Sequence, residues 1–124
     1  MMDSLQSPQR WSTGRSDKAL ETSDFYRLEI QHVKLAERIN FSLKSGIQRS
    51  FPLLSAKEIC FAADEGIGMF FPSAIVRIKG RNLAPLYHYL LARKVREVRE
   101  FGEKLEHELD KGELFVSVID IENE

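Results

Sequence analysis

Between Ile39 and Ile78, side chains that are mostly apolar recur at every second position in five short runs, which turn residues separate. A period of two places every second side chain on one face, which is typical of a half-buried β-strand. The runs begin at Ile39, Ile47, Ile59, Ile67 and Ala74. Short strands at this spacing predict an antiparallel meander with one apolar face.

The first two runs predict a β-hairpin. Ser45 and Gly46 lie between them, and a glycine supplies the positive φ that a tight turn requires. Pro52 follows the second run and has no N–H donor. We therefore expect Pro52 to end its strand or to lie on a sheet edge.

The period of the apolar residues changes after Gly80 from two to three or four, which predicts one long amphipathic helix over 82–110. Asn82 is a candidate N-cap, and Pro85 is tolerated in a first helical turn. The alternative is that the helix kinks or breaks at Gly102. The residues of the stripe are Leu83, Leu86, Tyr87, Leu90, Leu91, Val95, Val98, Phe101, Leu105 and Leu109. A last strand is expected over 114–119.

The segment before the hairpin carries two competing patterns. Phe25, Leu28 and Leu35 fall at helical spacing, whereas Tyr26, Leu28 and Ile30 alternate as in a strand. We favour a helix over 24–36.

Together these patterns predict the α+β class: an antiparallel meander of about five or six short strands, covered by one long C-terminal amphipathic helix. Residues 1–22 are polar apart from a few side chains such as Trp11, so we expect a flexible N-terminal arm followed by a single domain over 23–124. The residues that we expect to be buried together are Val76, Ile78, Leu86, Leu90 and Val98.

Two segments carry a resemblance to known proteins. The Phe51-Pro52 step and the junction Val76-Arg77-Ile78-Lys79-Gly80-Arg81-Asn82-Leu83-Ala84-Pro85-Leu86-Tyr87 resemble short uncharacterised proteins of bacterial genomes. The resemblance covers about 36–101. It implies a shared small sheet-plus-helix fold and a bacterial origin, and it implies no activity.

The most basic part of the chain spans 77–99. Clustered cations, a helix N-terminus after Gly80 and neighbouring tyrosines are features of phosphate-binding surfaces. The alternative is an ordinary solvated helix face, because several arginines here precede a glutamate by four residues. The candidate contacts to an anion or nucleic acid are Arg77, Lys79, Arg81, Arg93, Lys94 and Arg96.

Signals for catalysis or metal binding are sparse. The single cysteine, Cys60, lies between apolar residues of a predicted strand, so we expect a buried and inert thiol. Glu103, His107 and Asp110 share one face of the predicted helix, where a charge network is favoured over a metal site. We predict no catalytic residue, no metal and no cofactor, and we lean against an enzyme. A ligand or substrate pocket between sheet and helix remains as an alternative, lined by Phe61, Met69, Phe71 and Tyr87.

The chain has a formal net charge of -1 and no apolar run that could cross a membrane. We therefore expect a cytoplasmic protein with no membrane partner. An apolar stripe from Leu83 to Leu109 would extend roughly 40 Å as a helix, farther than a short strand, so its end needs a cover. We predict a small, non-enzymatic interaction protein that forms a homodimer through Phe101, Leu105 and Leu109. Nucleic acid is the alternative partner.

Overall fold

The computed structural model of the chain describes residues 24–29, 31, 34–102 and 112–123. The described residues form eight strands, one α-helix and the short 3-10 helix Leu53–Ser55. In chain order the main elements are β1 (Tyr26–Leu28), β2 (Arg38–Ser42), β3 (Gln48–Pro52), β4 (Glu58–Ala62), β5 (Gly66–Phe71), β6 (Ala74–Arg81), α1 (Ala84–Leu91), β7 (Val95–Arg99) and β8 (Phe115–Asn123). The predicted N-terminal arm lies outside the described residues.

The strands form two sheets of four. The first sheet has the order β1-β7-β2-β3, and the second has the order β4-β5-β6-β8. All pairs are antiparallel except β2 and β7, which run parallel. Strands hold 52% of the described residues and helices hold 12%. The predicted α+β class, with one meander under a long helix, is therefore wrong.

The predicted hairpin is confirmed as β2 and β3, in which Ile39 pairs with Phe51. Gly46 has a φ of 99° in the connecting turn. Pro52 is the last residue of β3, which is an edge strand of the first sheet. The missing N–H of this proline is therefore harmless.

The next three predicted strands are confirmed as the meander β4-β5-β6. Their inward side chains follow the alternation of the sequence, and Ile67, Met69 and Phe71 are all buried. The last predicted strand also exists as β8. It extends to Asn123 and pairs with β6 along the whole length of that strand.

The long helix predicted over 82–110 is wrong, because α1 ends at Leu91. Arg93 adopts a left-handed conformation with a φ of 57°, and its N–H donates to the carbonyl of Leu90. A left-handed residue after the last turn is a common way to end a helix. Residues 103–111, which include the rest of the predicted helix, lie outside the described residues.

The apolar residues keep a helical spacing beyond Leu91 because β7 contains a β-bulge. Leu28 of β1 pairs with Val95, but Arg27 pairs with Glu97, so Arg96 is an extra residue in β7. A bulge of this kind puts residues three apart on the same face of a strand. Val95 and Val98 are therefore both fully buried in a strand although their spacing is helical.

Two smaller expectations are also corrected. The helix favoured over 24–36 is not formed, because residues 26–28 form β1 against β7. Asn82 does not cap α1: the N-cap is Leu83, and the Asn82 amide donates to the carbonyl of Glu113 at 2.8 Å. Pro85 does lie in the first turn of the helix, as expected.

The core lies between the two sheets. The expected buried set is confirmed, since Val76, Ile78, Leu86, Leu90 and Val98 are all 0% exposed. Phe51 of the first sheet stacks on Phe71 of the second, with ring centroids 4.5 Å apart. Burial of this kind supplies most of the favourable free energy of folding.

The main chain also connects the sheets beyond the end of β7. The N–H of Phe101 donates to the carbonyl of Val116, and the N–H of Gly102 donates to the carbonyl of Ser117. The carboxylate of Glu100 accepts hydrogen bonds from the N–H groups of Lys44 and Ile119. The first and second sheets are therefore fastened at this corner. None of the described helices is long and apolar enough to span a lipid bilayer.

Cys60 is exposed, which corrects the expectation of a buried thiol. It lies on β4 between the inward-facing Ile59 and Phe61, so the alternation of the strand turns it outward. It pairs with Gly68, whose missing side chain leaves room for the thiol.

We expect native Cys60 to react with one equivalent of a thiol reagent such as a maleimide, without denaturant. The chain has a single cysteine, so mass spectrometry of the intact protein reads this site alone. Exposure governs access of the reagent to the sulfur. Modification that required urea would show that the outer face of β4 is covered.

Candidate functional site

The basic residues predicted to contact an anion are not brought together. Arg77 and Lys79 lie on the outer face of the second sheet, where Arg77 forms an ion pair of 3.0 Å with Glu122. Arg81 lies at the end of β6, with its guanidinium carbon 5.9 Å from the centroid of the Phe115 ring.

The other three cations lie near the C-terminal end of α1. The Lys94 ammonium donates to the carbonyl of Gln31 at 3.1 Å and also to the carbonyl of Lys34. Arg96, on the bulge of β7, is 3.9 Å from a carboxylate oxygen of Glu29. The six cations therefore lie in separate places: two on the outer face of the second sheet, one at the end of β6, and three after the end of α1.

The four side chains expected to line a pocket are in different surroundings: two stack on separate aromatic rings, one is buried in the core and one belongs to the helix. Phe61 stacks on Tyr87 with centroids 5.3 Å apart, whereas Phe71 stacks on Phe51. Met69 is fully buried. These side chains pack against neighbouring rings and core residues and give no support to a ligand site.

Of the three residues predicted to mediate self-association, the structure describes only Phe101. Phe101 is half-buried, and its ring is 4.7 Å from that of Phe25. Leu105 and Leu109 lie outside the described residues, as do Glu103, His107 and Asp110. Among the residues that the structure does describe, no group of three His, Cys, Asp or Glu side chains could hold a metal ion.

Some large apolar side chains lie at the surface of the described structure. Four large apolar side chains of the described residues are conspicuously exposed: Leu54 at 79%, Ile47 at 55%, Leu91 at 51% and Leu35 at 43%. Single exposed apolar residues are normal, but a group of them marks an interaction site.

Main-chain hydrogen bonds bring three of the four together. The N–H of Leu53 donates to the carbonyl of Glu37 at 2.9 Å, and the N–H of Ala36 donates to the carbonyl of Arg93 at 2.8 Å. Leu54, Leu35 and Leu91 are each within two residues of one of these bonds. We call these three leucines the leucine end.

The segments that carry the leucine end are held in place. The Lys94 ammonium fastens the loop around Lys34, and the N–H of Glu29 donates to the Lys94 carbonyl. Leu54 belongs to the 3-10 helix and Leu91 to the last turn of α1. A surface that is fixed before binding loses less conformational entropy when a partner arrives.

No protein-family model, curated protein or solved structure matches this chain.

The sequence contains a signal for two residues of the leucine end that the apolar period does not show. Leu53-Leu54 and Leu90-Leu91 are consecutive leucine pairs. Neighbouring residues of a helix do not share one face, so only one leucine of each pair can be fully buried. The buried members are Leu53 and Leu90, and the exposed members are Leu54 and Leu91.

Proposed function

We propose that the protein is a small non-enzymatic interaction module that pairs with a second copy of itself through the leucine end. The observation that supports this is the grouping of Leu35, Leu54 and Leu91, all exposed, on segments that hydrogen bonds hold side by side. In the described residues the helix ends at Leu91, so the leucine end replaces the predicted long stripe as the proposed contact.

The charges around the leucine end suit a copy of the same surface. Lys34 and Glu37 are both exposed and lie on either side of Leu35. In a two-fold pair, each contact is made twice, so a lysine of one copy can face a glutamate of the other. Opposite charges on one rim favour this arrangement over a partner of a single charge.

The expected affinity follows from the area of the leucines. Covering the exposed parts of six leucines in a dimer would contribute roughly 5–10 kcal/mol. Association costs about 4–15 kcal/mol in lost freedom of motion. The most favourable combination of the two ranges leaves a net gain of about 6 kcal/mol, which corresponds to a dissociation constant of some tens of micromolar. We therefore expect a weak, reversible dimer rather than an obligate one.

The variant Leu54→Glu/Leu91→Glu should be monomeric at every concentration. Sedimentation equilibrium of the full chain across the micromolar range should give a wild-type mass that rises from 14.3 kDa towards twice that value. A charge at each contact position prevents burial of the interface, because a carboxylate loses its hydration there.

Ile47→Glu is the matched control. Ile47 is 55% exposed, as Leu91 is at 51%, but it lies in the hairpin turn at the opposite end of β2. This variant should dimerise as the wild type does. A wild-type mass that stays at 14.3 kDa, or equal loss of the dimer in both variants, would exclude the proposal.

A further inference from the structure

The outer face of the first sheet is polar across all four strands. The side chains that point away from the core here, which we call the polar face, are Arg27, Arg38, Asn40, Ser42, Gln48, Ser50, Glu97 and Arg99. Pro52, at the end of β3 opposite Arg38, is the one apolar residue among the described strand residues of this face, and none of them is aromatic. The face lies on the sheet's outer surface, so it is a separate surface from the leucine end.

The strand register aligns these side chains in rows. Arg27, Glu97, Asn40 and Ser50 form one row, since each pairs with the next across neighbouring strands. Arg99, Ser42 and Gln48 form a second row. Spacings of about 4.8 Å between strands and roughly 6.6 Å between alternate residues put the three arginine Cα atoms roughly 8–14 Å apart.

Glu97 organises the centre of the face. Its carboxylate accepts a hydrogen bond of 2.6 Å from the Ser42 hydroxyl and lies 3.2 Å from Arg27 and 3.4 Å from Arg99. The Asn40 amide donates to Ser42 and to Gln48. One carboxylate is thus shared by two guanidinium groups, which leaves positive charge in excess.

Arg38 donates hydrogen bonds to neutral groups of the neighbouring strand. Its guanidinium donates to the Ser50 hydroxyl at 2.9 Å and to the Ser50 carbonyl at 3.1 Å. These bonds orient the group without cancelling its charge. The planar guanidinium suits phosphate oxygens, which it can bind with two parallel N–H donors.

The charges of the two sheets differ in sign. Three arginines and one glutamate give the polar face a formal charge of +2. The outer face of the second sheet carries two cations, Arg77 and Lys79, and three anions, Glu58, Asp120 and Glu122, which gives -1. The chain's small net charge therefore conceals one positive surface, which favours an anionic partner at that surface.

We propose that the polar face binds the phosphate backbone of duplex nucleic acid without reading its sequence. Proteins that bind single strands stack exposed bases on aromatic side chains. The polar face has none, so a duplex, whose bases already stack on each other, matches it better. Phosphates follow one another by about 3.4 Å along each strand of a duplex, so the arginines span several of them.

The number of arginines fixes the expected salt dependence. Three phosphate contacts give a slope of log K against log salt of about -2.7. Raising the salt from 50 to 200 mM should therefore weaken binding about 40-fold. Non-specific binding of this kind has dissociation constants of roughly 1–100 µM near physiological salt.

The test is a fluorescence anisotropy titration of a labelled 20-base-pair DNA duplex with the full chain. Arg38→Gln should weaken binding at 50 mM salt about fivefold, the effect of one unit-charge contact at about 4 Å in water. It should also reduce the steepness of the slope by about 0.9. Glu97→Gln retains an oxygen for the Ser42 hydroxyl and should tighten binding about twofold by removing the one negative charge.

Arg77→Gln on the second sheet is the matched control and should leave both affinity and slope unchanged. Circular dichroism melting should show that all three variants remain folded. The proposal is overturned if the wild type does not bind at 50 mM salt, if Arg77→Gln weakens binding as much as Arg38→Gln does, or if Glu97→Gln weakens it. Tighter binding of a single-stranded oligonucleotide than of the duplex would also overturn it.

The leucine-end variant should bind DNA through its unchanged polar face, so this test and the dimer test fail independently.

Discussion

Gly80→Ala should destabilise the protein by more than about 4 kcal/mol, near the upper limit of single substitutions. A Cβ atom at Gly80 would lie 1.8 Å from the carbonyl oxygen of Phe115 and 2.8 Å from its carbon. Both are main-chain atoms, so no side-chain rotation relieves the overlap. The strands β6 and β8 would have to separate where they cross the irregularity at Lys79 and Gly80.

The measurement is the free energy of unfolding from urea titration. A loss of this size lowers the urea midpoint by roughly 2 M, because the slope for small proteins is about 1–3 kcal/mol per molar urea. Failure of the variant to fold at all agrees with the same expectation, provided that the controls fold.

Substitutions at two other glycines distinguish the effect of steric overlap from the general effect of replacing glycine with alanine. Gly112→Ala meets nothing within 4 Å and should change stability little. Gly46→Ala is also unobstructed, but its φ of 99° should cost about 1–2 kcal/mol. If Gly80→Ala were as mild as Gly112→Ala, the close approach of β6 to β8 would be disproved.

The local sequence predicts the strands between Ile39 and Phe71 well, because their pattern and their turns agree. Each strand there is a period-two run, and Gly46 and Gly66 both take the positive φ that their turns require. A strand pattern bounded by such a glycine has few other solutions.

The division into two sheets was not predictable from these runs. β3 and β4 are consecutive in the sequence but belong to different sheets, and β2 pairs with the distant β7. Such pairing depends on contacts between residues far apart in the chain, which a local period does not record. The sequence therefore predicts strands without predicting their partners.

The helix prediction failed for a specific reason. The bulge at Arg96 gives β7 two buried valines at a helical spacing. The helix ends at Leu91, and the left-handed residue that follows it is Arg93 rather than a glycine. A search for periods and for glycine stops finds neither feature. The same error affects three of the basic candidates. Arg93, Lys94 and Arg96 were expected on one helix, but the first two lie in the loop after α1 and Arg96 lies in β7.

The polar face was not predicted because its sequence pattern is ordinary for a sheet. Its residues are the other half of the alternation that predicted the strands: Arg38, Asn40 and Ser42 alternate with Ile39 and Phe41. Polar residues at these positions are expected of any sheet with one solvated face. Only the strand order shows that the arginines of β1, β7 and β2 share the outer face of one sheet.

Leu90→Ala should lower the free energy of unfolding by about 2–5 kcal/mol. The Leu90 side chain is 0% exposed and belongs to the core cluster with Leu86 and Val95. Truncation removes buried methyl groups and leaves a cavity that rigid neighbours fill only in part. Urea titration at low micromolar concentration, below the expected dimer range, measures the loss in the monomer.

Leu91→Ala removes the same atoms one residue along the chain and should cost less than about 0.5 kcal/mol. Leu91 is 51% exposed in the last turn of α1, and alanine is the better helix former. The pair also separates the two folds considered above. In a continuous helix over 82–110, both leucines belong to the buried stripe and both variants lose stability. In the structure only Leu90 is buried, so similar losses in the two variants would contradict a helix that ends at Leu91.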